Sequence, residues 1–115
     1  MSGTLHLEPE QILIKEGERS DHMYWLQQGQ LIVVKRKGSE EVTLGHVCSG
    51  ELVGELSFLD GEPRSATVRA VTACELIEIP RDFFDSIFKG QPRWLETLVK
   101  TLAERLRKAN SRIKV

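Results

Sequence analysis

The segment from Gly50 to Ala70, GELVGELSFLDGEPRSATVRA, decides how the rest of the chain is interpreted. In it, Glu55 stands between Gly54 and Leu56 at the start of a short apolar turn. A glycine followed by a helical turn leaves backbone N–H groups without partners, and the helix dipole adds positive charge there. Arg64 then supplies a planar, permanently charged fork that suits phosphate oxygens. Because a carboxylate repels a bare phosphate but suits a sugar hydroxyl, the segment predicts a receptor for a sugar phosphate.

The same segment resembles a known family. A resemblance to the phosphate-binding cassette of cyclic nucleotide-binding domains is carried by Gly50-Glu51-Leu52-Val53-Gly54-Glu55-Leu56 and by Pro63-Arg64-Ser65-Ala66. It is strongest to the ligand-binding half of catabolite activator protein-like regulators, and it extends from about Leu7 to about Asn110. The resemblance implies that the ligand contacts Gly54, Glu55, Leu56, Ser57, Arg64, Ser65, Ala66, Arg105 and Asn110.

The resemblance also implies a role for each part of this ligand set. Arg64 is expected to bind the phosphate. Glu55 is expected to accept a hydrogen bond from the ribose 2′-hydroxyl. The rest of the phosphate cage is expected to come from Ser65 and from backbone amides near Leu56, Ser57 and Ala66.

The alternation of short apolar runs with glycine-rich turns predicts the fold class. Such a pattern is typical of a mainly β protein with an antiparallel sandwich or roll. The resemblance makes this an antiparallel β-roll, a double-stranded β-helix or jelly roll, over about residues 5–80. It adds a short helix in the cassette and C-terminal helices over about residues 81–112. Four glycines match the turn glycines of the family, where the backbone takes positive φ or passes close to the ligand: Gly17, Gly29, Gly50 and Gly54.

After Pro80 the spacing of apolar residues changes to that of helices. Asp82–Phe88 is predicted as a short helix, and Pro92 suits the start of a second one. Apolar residues at intervals of three and four predict that this second helix is amphipathic. A long helix with a narrow leucine stripe often pairs with another helix, so a homodimer through it is expected. The stripe consists of Leu95, Leu98, Leu102, Leu106, Ala109 and Ile113.

Two residues near the end of this helix are expected to reach the ligand, because the helix closes over the base in the family. Asn110 aligns with a hydroxyl residue that contacts adenine in catabolite activators, and Asn can both donate and accept. Arg105 is expected to reach Glu55 or the ribose. Ala109 replaces a second hydroxyl residue and cannot make its contact.

Length and composition limit the class of protein. The chain has 115 residues, of which 40% are hydrophobic and 29% charged. These values predict one globular domain over residues 1–115. No run approaches a membrane span and no signal peptide is visible, so a cytoplasmic protein without membrane contact is expected. Cys48 and Cys74 lie in apolar segments and are predicted to be small buried side chains.

Several alternatives remain open. A metal enzyme on a similar β-barrel needs clustered ligands, but His6, His22 and His46 lie on separate predicted elements. No catalytic residues are therefore predicted. A degenerate, ligand-free β-roll that serves only for dimerisation is a second alternative. The chain could also be the excised sensor domain of a larger transcription regulator or signalling protein. Because it ends where the helix-turn-helix of that family begins, it is not expected to read a DNA sequence alone.

The function expected from these residues is regulatory. Cyclic AMP is the expected ligand ahead of cyclic GMP, and no cofactor or metal is required. Binding is expected to order the turn at residues 54–58 and to reposition the helices after Pro80, which would relay the signal.

Overall fold

The computed structural model describes residues 3–113, with side chains up to residue 110. Eight strands are present in this range: β1 (Gly3–Leu7), β2 (Ile12–Ile14), β3 (His22–Gln28), β4 (Leu31–Lys37), β5 (Glu40–Val47), β6 (Leu52–Val53), β7 (Thr67–Ala70) and β8 (Cys74–Pro80). The helices described are α1 (Glu55–Asp60), α2 (Arg81–Ile87) and α3 (Arg93–Ile113).

The strands form two four-stranded sheets in which every pairing is antiparallel. One sheet has the order β1-β8-β3-β6 and the other the order β2-β7-β4-β5. Chain neighbours such as β1 and β2 therefore lie in different sheets, as they do in a roll. The predicted antiparallel β-roll is confirmed.

The core lies between the inner faces of the two sheets. Successive side chains of a strand point to opposite faces. In β3, Tyr24 and Leu26 point inward while Trp25 stays exposed, and in β8 Cys74 and Leu76 point inward. Burial of these alternate side chains fixes the register of each strand, because a slip by one residue would expose them.

The turn glycines adopt the predicted backbone geometry. Gly17, Gly29, Gly50 and Gly54 all have positive φ, between 76° and 100°. At Gly29 there is also no room for a side chain, because an added Cβ would lie 2.5 Å from the carbonyl oxygen of Ala73. Such a contact is far inside van der Waals distance, so Gly29 is required for close packing as well as for its turn.

One cysteine prediction is wrong. Cys74 is buried, but Cys48 is exposed. Cys48 follows the last residue of β5 and begins a turn, in which its N–H donates to Glu51 Oε1 at 2.6 Å and its carbonyl accepts from the Glu51 N–H at 3.1 Å. The apolar residues before it belong to the strand, whereas Cys48 itself lies on the loop.

The helices after the roll begin and end close to the predicted residues. Helix α2 starts one residue earlier than expected, and α3 begins directly after Pro92. Along α3 the predicted stripe is largely exposed: Leu98 is 44%, Leu102 55% and Leu106 51% exposed. The side chain of Ile113, the last predicted member of the stripe, lies outside the described residues. In the described part of the chain, no helix is both long and apolar enough to cross a membrane.

Candidate functional site

Helix α1 is a short helix that glycines delimit at both ends. Gly54 precedes it with φ 76° and Gly61 follows it with φ 78°, both in the left-handed region. Glu55 occupies its first turn, where a negatively charged carboxylate interacts favourably with the helix dipole. Phe58 is fully buried and anchors the helix on the roll. The first turn of α1 is therefore held in place with its backbone N–H groups directed away from the helix.

Arg64 lies beside this first turn and is 6% exposed. Its Nη1 donates to the carbonyl oxygen of Gly54 at 2.7 Å, and its Nη2 donates to the carbonyl oxygen of His22. A Cβ added at Gly54 would lie 2.6 Å from Arg64 Nη1. The absence of a side chain at position 54 thus allows the guanidinium to approach the start of α1.

Two opposing effects act on the pKa of the Arg64 guanidinium, and burial, the larger one, leaves it lowered. Burial lowers the pKa of its guanidinium, whereas Tyr24, Asp21, Glu18 and Glu55 raise it. Arginine is not deprotonated in proteins, so the group stays charged at neutral pH. A buried cation next to a helix N-terminus is suited to an anionic ligand.

The backbone of Arg64 is also fixed. Its N–H donates to the carbonyl of Glu18 at 2.8 Å, and its carbonyl accepts from the N–H of Gly17 at 2.8 Å. Both bonds reach the turn that follows β2. Because two backbone bonds and two side-chain bonds hold one residue, the guanidinium is presented at a defined position.

These groups line one cavity of about 200 Å³. Every cassette residue of the predicted ligand set contributes to its wall: Gly54, Glu55, Leu56, Ser57, Arg64, Ser65 and Ala66. The remaining wall is apolar and comes from the strands, at Ile14, Val33, Val47, Leu52, Val53 and Val68. The cavity wall therefore combines groups that suit an anion and a hydroxyl with apolar side chains on which an apolar group can pack.

The two predicted ligand residues of α3 are not brought to this cavity. Arg105 and Asn110 are exposed, and none of the α3 side chains up to residue 110 is among those that line the cavity. Helix α3 packs against α1 with a different face. Contacts of Arg105 and Asn110 with a ligand would need a movement of α3.

The structure adds a contact that the sequence interpretation missed. Arg107 of α3 forms an ion pair with Asp60 of α1, whose side chain is 4% exposed. Arg107 Nη2 also donates to Ser57 Oγ at 2.9 Å. The signal that could have revealed it is the spacing of Val99, Ala103 and Arg107, which places an arginine on the helix face that carries the buried Ala103.

A second missed residue, Arg81, joins α1 to α2. Its Nη2 donates to the carbonyl oxygens of Phe58 at 2.6 Å and Ser20 at 2.9 Å. Its guanidinium carbon lies 4.3 Å from the centroid of the Phe58 ring. Phe58 in turn contacts Phe84 of α2 edge to face, with ring centroids 5.2 Å apart. A shift of α1 would thus change the contacts that hold α2.

The histidines do not form a metal centre with one another. His6, His22 and His46 lie on β1, β3 and β5. Among the described residues, no three His, Cys, Asp or Glu side chains are grouped closely enough to hold a metal ion.

Comparison with known proteins identifies the family. The family model described as "Cyclic nucleotide-binding domain" matches residues 4–91. The cAMP-activated global transcriptional regulator CRP of Salmonella typhimurium is 33% identical over 103 residues, covering 88% of this chain. The chain spans about half the length of that relative, 49%.

Solved structures agree with this match. The regulatory domain of Toxoplasma gondii PKA, solved with cAMP, has a TM-score of 0.72 and 37% identity, covering 75% of this chain and 33% of that one. An EAL enzyme in its cAMP-bound form has a TM-score of 0.81 and 27% identity, covering 94% and 29%. The cGMP-bound form of that enzyme has a TM-score of 0.80 and 26% identity, covering 95% and 29%. With the cassette geometry described above, these matches show that the chain belongs to the cyclic nucleotide-binding domain family and is a CRP-like regulatory domain.

Proposed function

We propose that the chain binds cyclic AMP in the cavity between α1 and Arg64. The observation that carries this proposal is the buried, fourfold-fixed Arg64 at the start of α1, in the same cavity wall as Glu55 and Ser65. Two of the five guanidinium donors serve the Gly54 and His22 carbonyls, which leaves others for phosphate oxygens.

The rest of the cavity supports a nucleoside rather than a bare phosphate. Glu55 is half-buried in the first turn of α1 and can accept a hydrogen bond from a ribose 2′-hydroxyl. The apolar strand residues, among them Val33 and Val68, provide a surface on which a base can pack. Ser65 completes the phosphate side together with the N–H groups of α1.

The choice of cyclic AMP over cyclic GMP rests on relatives. The transcriptional regulator CRP is described as cAMP-activated, and the regulatory domain of Toxoplasma gondii PKA was solved with cAMP. The EAL enzyme was solved with either nucleotide. Preference between the two bases is therefore a separate outcome of the test below.

Regulation is expected to pass through the helices after the roll. Arg81 and Phe84 connect α2 to Phe58 of α1, so ordering of α1 by a ligand would change the packing of α2. A ligand shifts such an equilibrium only by its different affinity for the two arrangements.

Titration calorimetry of the purified chain with cyclic AMP, cyclic GMP and linear AMP tests the proposal. We expect one site per chain with cyclic AMP binding tightest and linear AMP weakest. Absence of binding by both cyclic nucleotides would contradict the function and favour a ligand-free dimerisation module. A clear preference for cyclic GMP would overturn the ligand and leave the cyclic nucleotide function in place.

We also infer that α3 supports a homodimer. Trp94, Leu98, Leu102 and Leu106 repeat at intervals of four along one face, and each is 44% or more exposed. Contact with the same stripe of a second copy would bury them. Sedimentation velocity should then give a dimer for the natural sequence and a monomer for Leu102→Glu; a natural chain that sediments as a monomer would contradict the inference.

A further inference from the structure

Arg107 joins α3 to both parts of the phosphate-binding cassette. Its Nε donates to Asp60, at the end of α1, and its Nη2 donates to Ser57 Oγ at 2.9 Å. Ser57 Oγ in turn donates to the carbonyl oxygen of Pro63 at 3.3 Å, directly before Arg64. One side chain of α3 is thus connected to α1 and to the segment that carries the phosphate-binding arginine. We call the set Arg107, Asp60 and Ser57 the Arg107 clasp.

The clasp is more buried than a typical ion pair on a protein surface. The Asp60 side chain is 4% exposed and that of Arg107 is 27% exposed. Ser57 is 5% exposed. Water therefore screens this pair less than a surface pair, and its loss would leave the Asp60 carboxylate buried without its cation.

Helix α1 depends on such contacts for its position. It has six residues, and helices of this length do not form by themselves in water. Neither end has a side-chain cap, since Gly54 and Gly61 flank it. Besides the buried Phe58, contacts to Ser57, its third residue, and to Asp60, its last residue, therefore help to fix where the N–H groups of its first turn are directed.

We propose that Arg107 is a positioning residue for the nucleotide site: from α3 it holds α1 and the Pro63 carbonyl in the arrangement that binds the cyclic phosphate. This inference rests on the proposed function and deepens it. Since coupling between two sites is reciprocal, bound nucleotide favours the docked position of α3 by the same factor by which docking favours nucleotide. Through Ser57, which lines the cavity, the clasp connects α3 to the ligand site, although no described residue of α3 lines the cavity itself.

Helix geometry separates this role from that expected of Arg105. Successive residues of an α-helix are rotated by about 100°, so Arg105 and Arg107 project about 200° apart. With Arg107 directed at α1, Arg105 is exposed. The two arginines therefore cannot engage the same face of α1 without rotation of the helix.

Calorimetry with cyclic AMP on matched variants tests the inference. Arg107→Ala and Asp60→Asn should each weaken binding by about 5- to 50-fold, a range typical of coupling between two sites. The double variant should be little weaker than either single one, because both changes remove the same contact. Arg107→Lys should recover part of the affinity, since it keeps the charge without the fork.

The control is Lys100→Ala, which removes a cation from the same helix. Lys100 pairs with Glu96 one turn earlier on α3 at 3.4 Å, and both side chains are partly exposed, 49% and 39%. The affinity of the Lys100→Ala variant for cyclic AMP should stay within about twofold of that of the natural chain, since exposed ion pairs within a helix contribute little. Denaturant unfolding of each variant shows that it is folded at the temperature of the titration.

The outcomes are distinguishable. A natural chain that binds no cyclic nucleotide contradicts the proposed function, and the clasp with it. A natural chain that binds, together with a folded Arg107→Ala or Asp60→Asn variant of equal affinity, contradicts the clasp alone and leaves Arg107 a purely structural residue. Tighter binding in either variant also overturns it, because the clasp would then stabilise the nucleotide-free arrangement.

Discussion

The β-roll and helix α3 differ in how much of their apolar surface they bury. In the roll, Leu26 and Leu76 are 0% exposed, whereas Leu102 and Trp94 of α3 are 55% and 65% exposed. The roll completes its interior with its own strands, so the shape of the cavity follows from the roll. Helix α3 packs against α1, where Arg107 donates hydrogen bonds to Asp60 and Ser57. From this difference we infer that the roll provides the groups that bind the ligand, and that helix α3 changes its position in response to binding.

Arg64→Ala should have the largest effect, because it removes the cation of the roll's cavity. Hydrogen bonds to charged groups contribute about 1.5–3 kcal/mol, so cyclic AMP affinity should fall by roughly 10- to 100-fold or more. Arg64→Lys should also bind more weakly, since a point charge does not replace the fork. Calorimetry checks both variants. The matched control is Arg69→Ala on β7, whose guanidinium pairs with Glu41 at 2.9 Å and does not line the cavity.

Equal affinity of a folded Arg64→Ala variant and the natural chain would contradict the assignment of the phosphate site to the roll. An Arg69→Ala variant that loses as much affinity would show that net charge, and not position, determines binding.

Gly54→Ala should come next, because it disturbs Arg64 without changing it. The new Cβ would lie 2.6 Å from Arg64 Nη1 and 2.8 Å from Ile14 Cδ1, at a backbone φ of 76°. We expect about tenfold weaker cyclic AMP binding and a loss of about 1–2 kcal/mol in unfolding free energy from the left-handed backbone alone. Calorimetry and urea unfolding measure the two effects.

The variant Gly38→Ala is a control that separates the backbone strain of a left-handed residue from the steric clash with Arg64. Gly38 has φ 65° in the β4–β5 turn, and an added Cβ there meets nothing within 4 Å. It should lose stability to a similar extent and keep its affinity. Loss of affinity in Gly38→Ala would mean that general destabilisation explains the Gly54 result.

Glu55 should account for recognition of the ribose. In the natural chain, cyclic AMP should bind about tenfold more tightly than its 2′-deoxy analogue, the range of a hydrogen bond to a charged group. In Glu55→Gln this preference should shrink, because the neutral amide is a weaker acceptor. Competition binding with the two ligands checks this, and equal affinities for both in the natural chain would argue against the role of Glu55.

Asn110→Ala should have the smallest effect, because Asn110 is exposed and lies on the helix outside the cavity. If α3 closes over the base when the nucleotide binds, the ratio of cyclic AMP to cyclic GMP affinity should change by about 2- to 5-fold, typical of one neutral hydrogen bond. General phosphate affinity should stay the same. An unchanged ratio would place base recognition within the roll, which would sharpen the division between the two regions.

The roll could be predicted from sequence because its signals are local. Alternating apolar residues and turn glycines such as Gly29 and Gly54 specify strands and turns within a few residues. The cassette is likewise a continuous segment, so Glu55, Arg64 and Ser65 were assigned to one site and line one cavity in the structure. The prediction for Cys48 is wrong because the residues before it in the strand are apolar, whereas its own backbone belongs to a turn.

The docking of α3 could not be predicted, because it depends on contacts between residues far apart in sequence. The leucine stripe predicts a contact with a second copy of the helix, and it gives no signal for the face that packs within the chain, which carries the small, buried Ala103. Arg107 finds Asp60 and Ser57 about 50 positions earlier in the chain. Periodicity indicates that a helix is amphipathic, but not which of two partly apolar faces meets its own roll.

A crystal structure of the domain grown with cyclic AMP tests the central claim most directly. The measured quantity is the distance from the Arg64 guanidinium nitrogens to the exocyclic phosphate oxygens. We expect about 2.7–2.9 Å for a charge-assisted pair, with the ribose against Glu55. A nucleotide bound elsewhere, or a phosphate beyond hydrogen-bond reach of Arg64, would contradict the account.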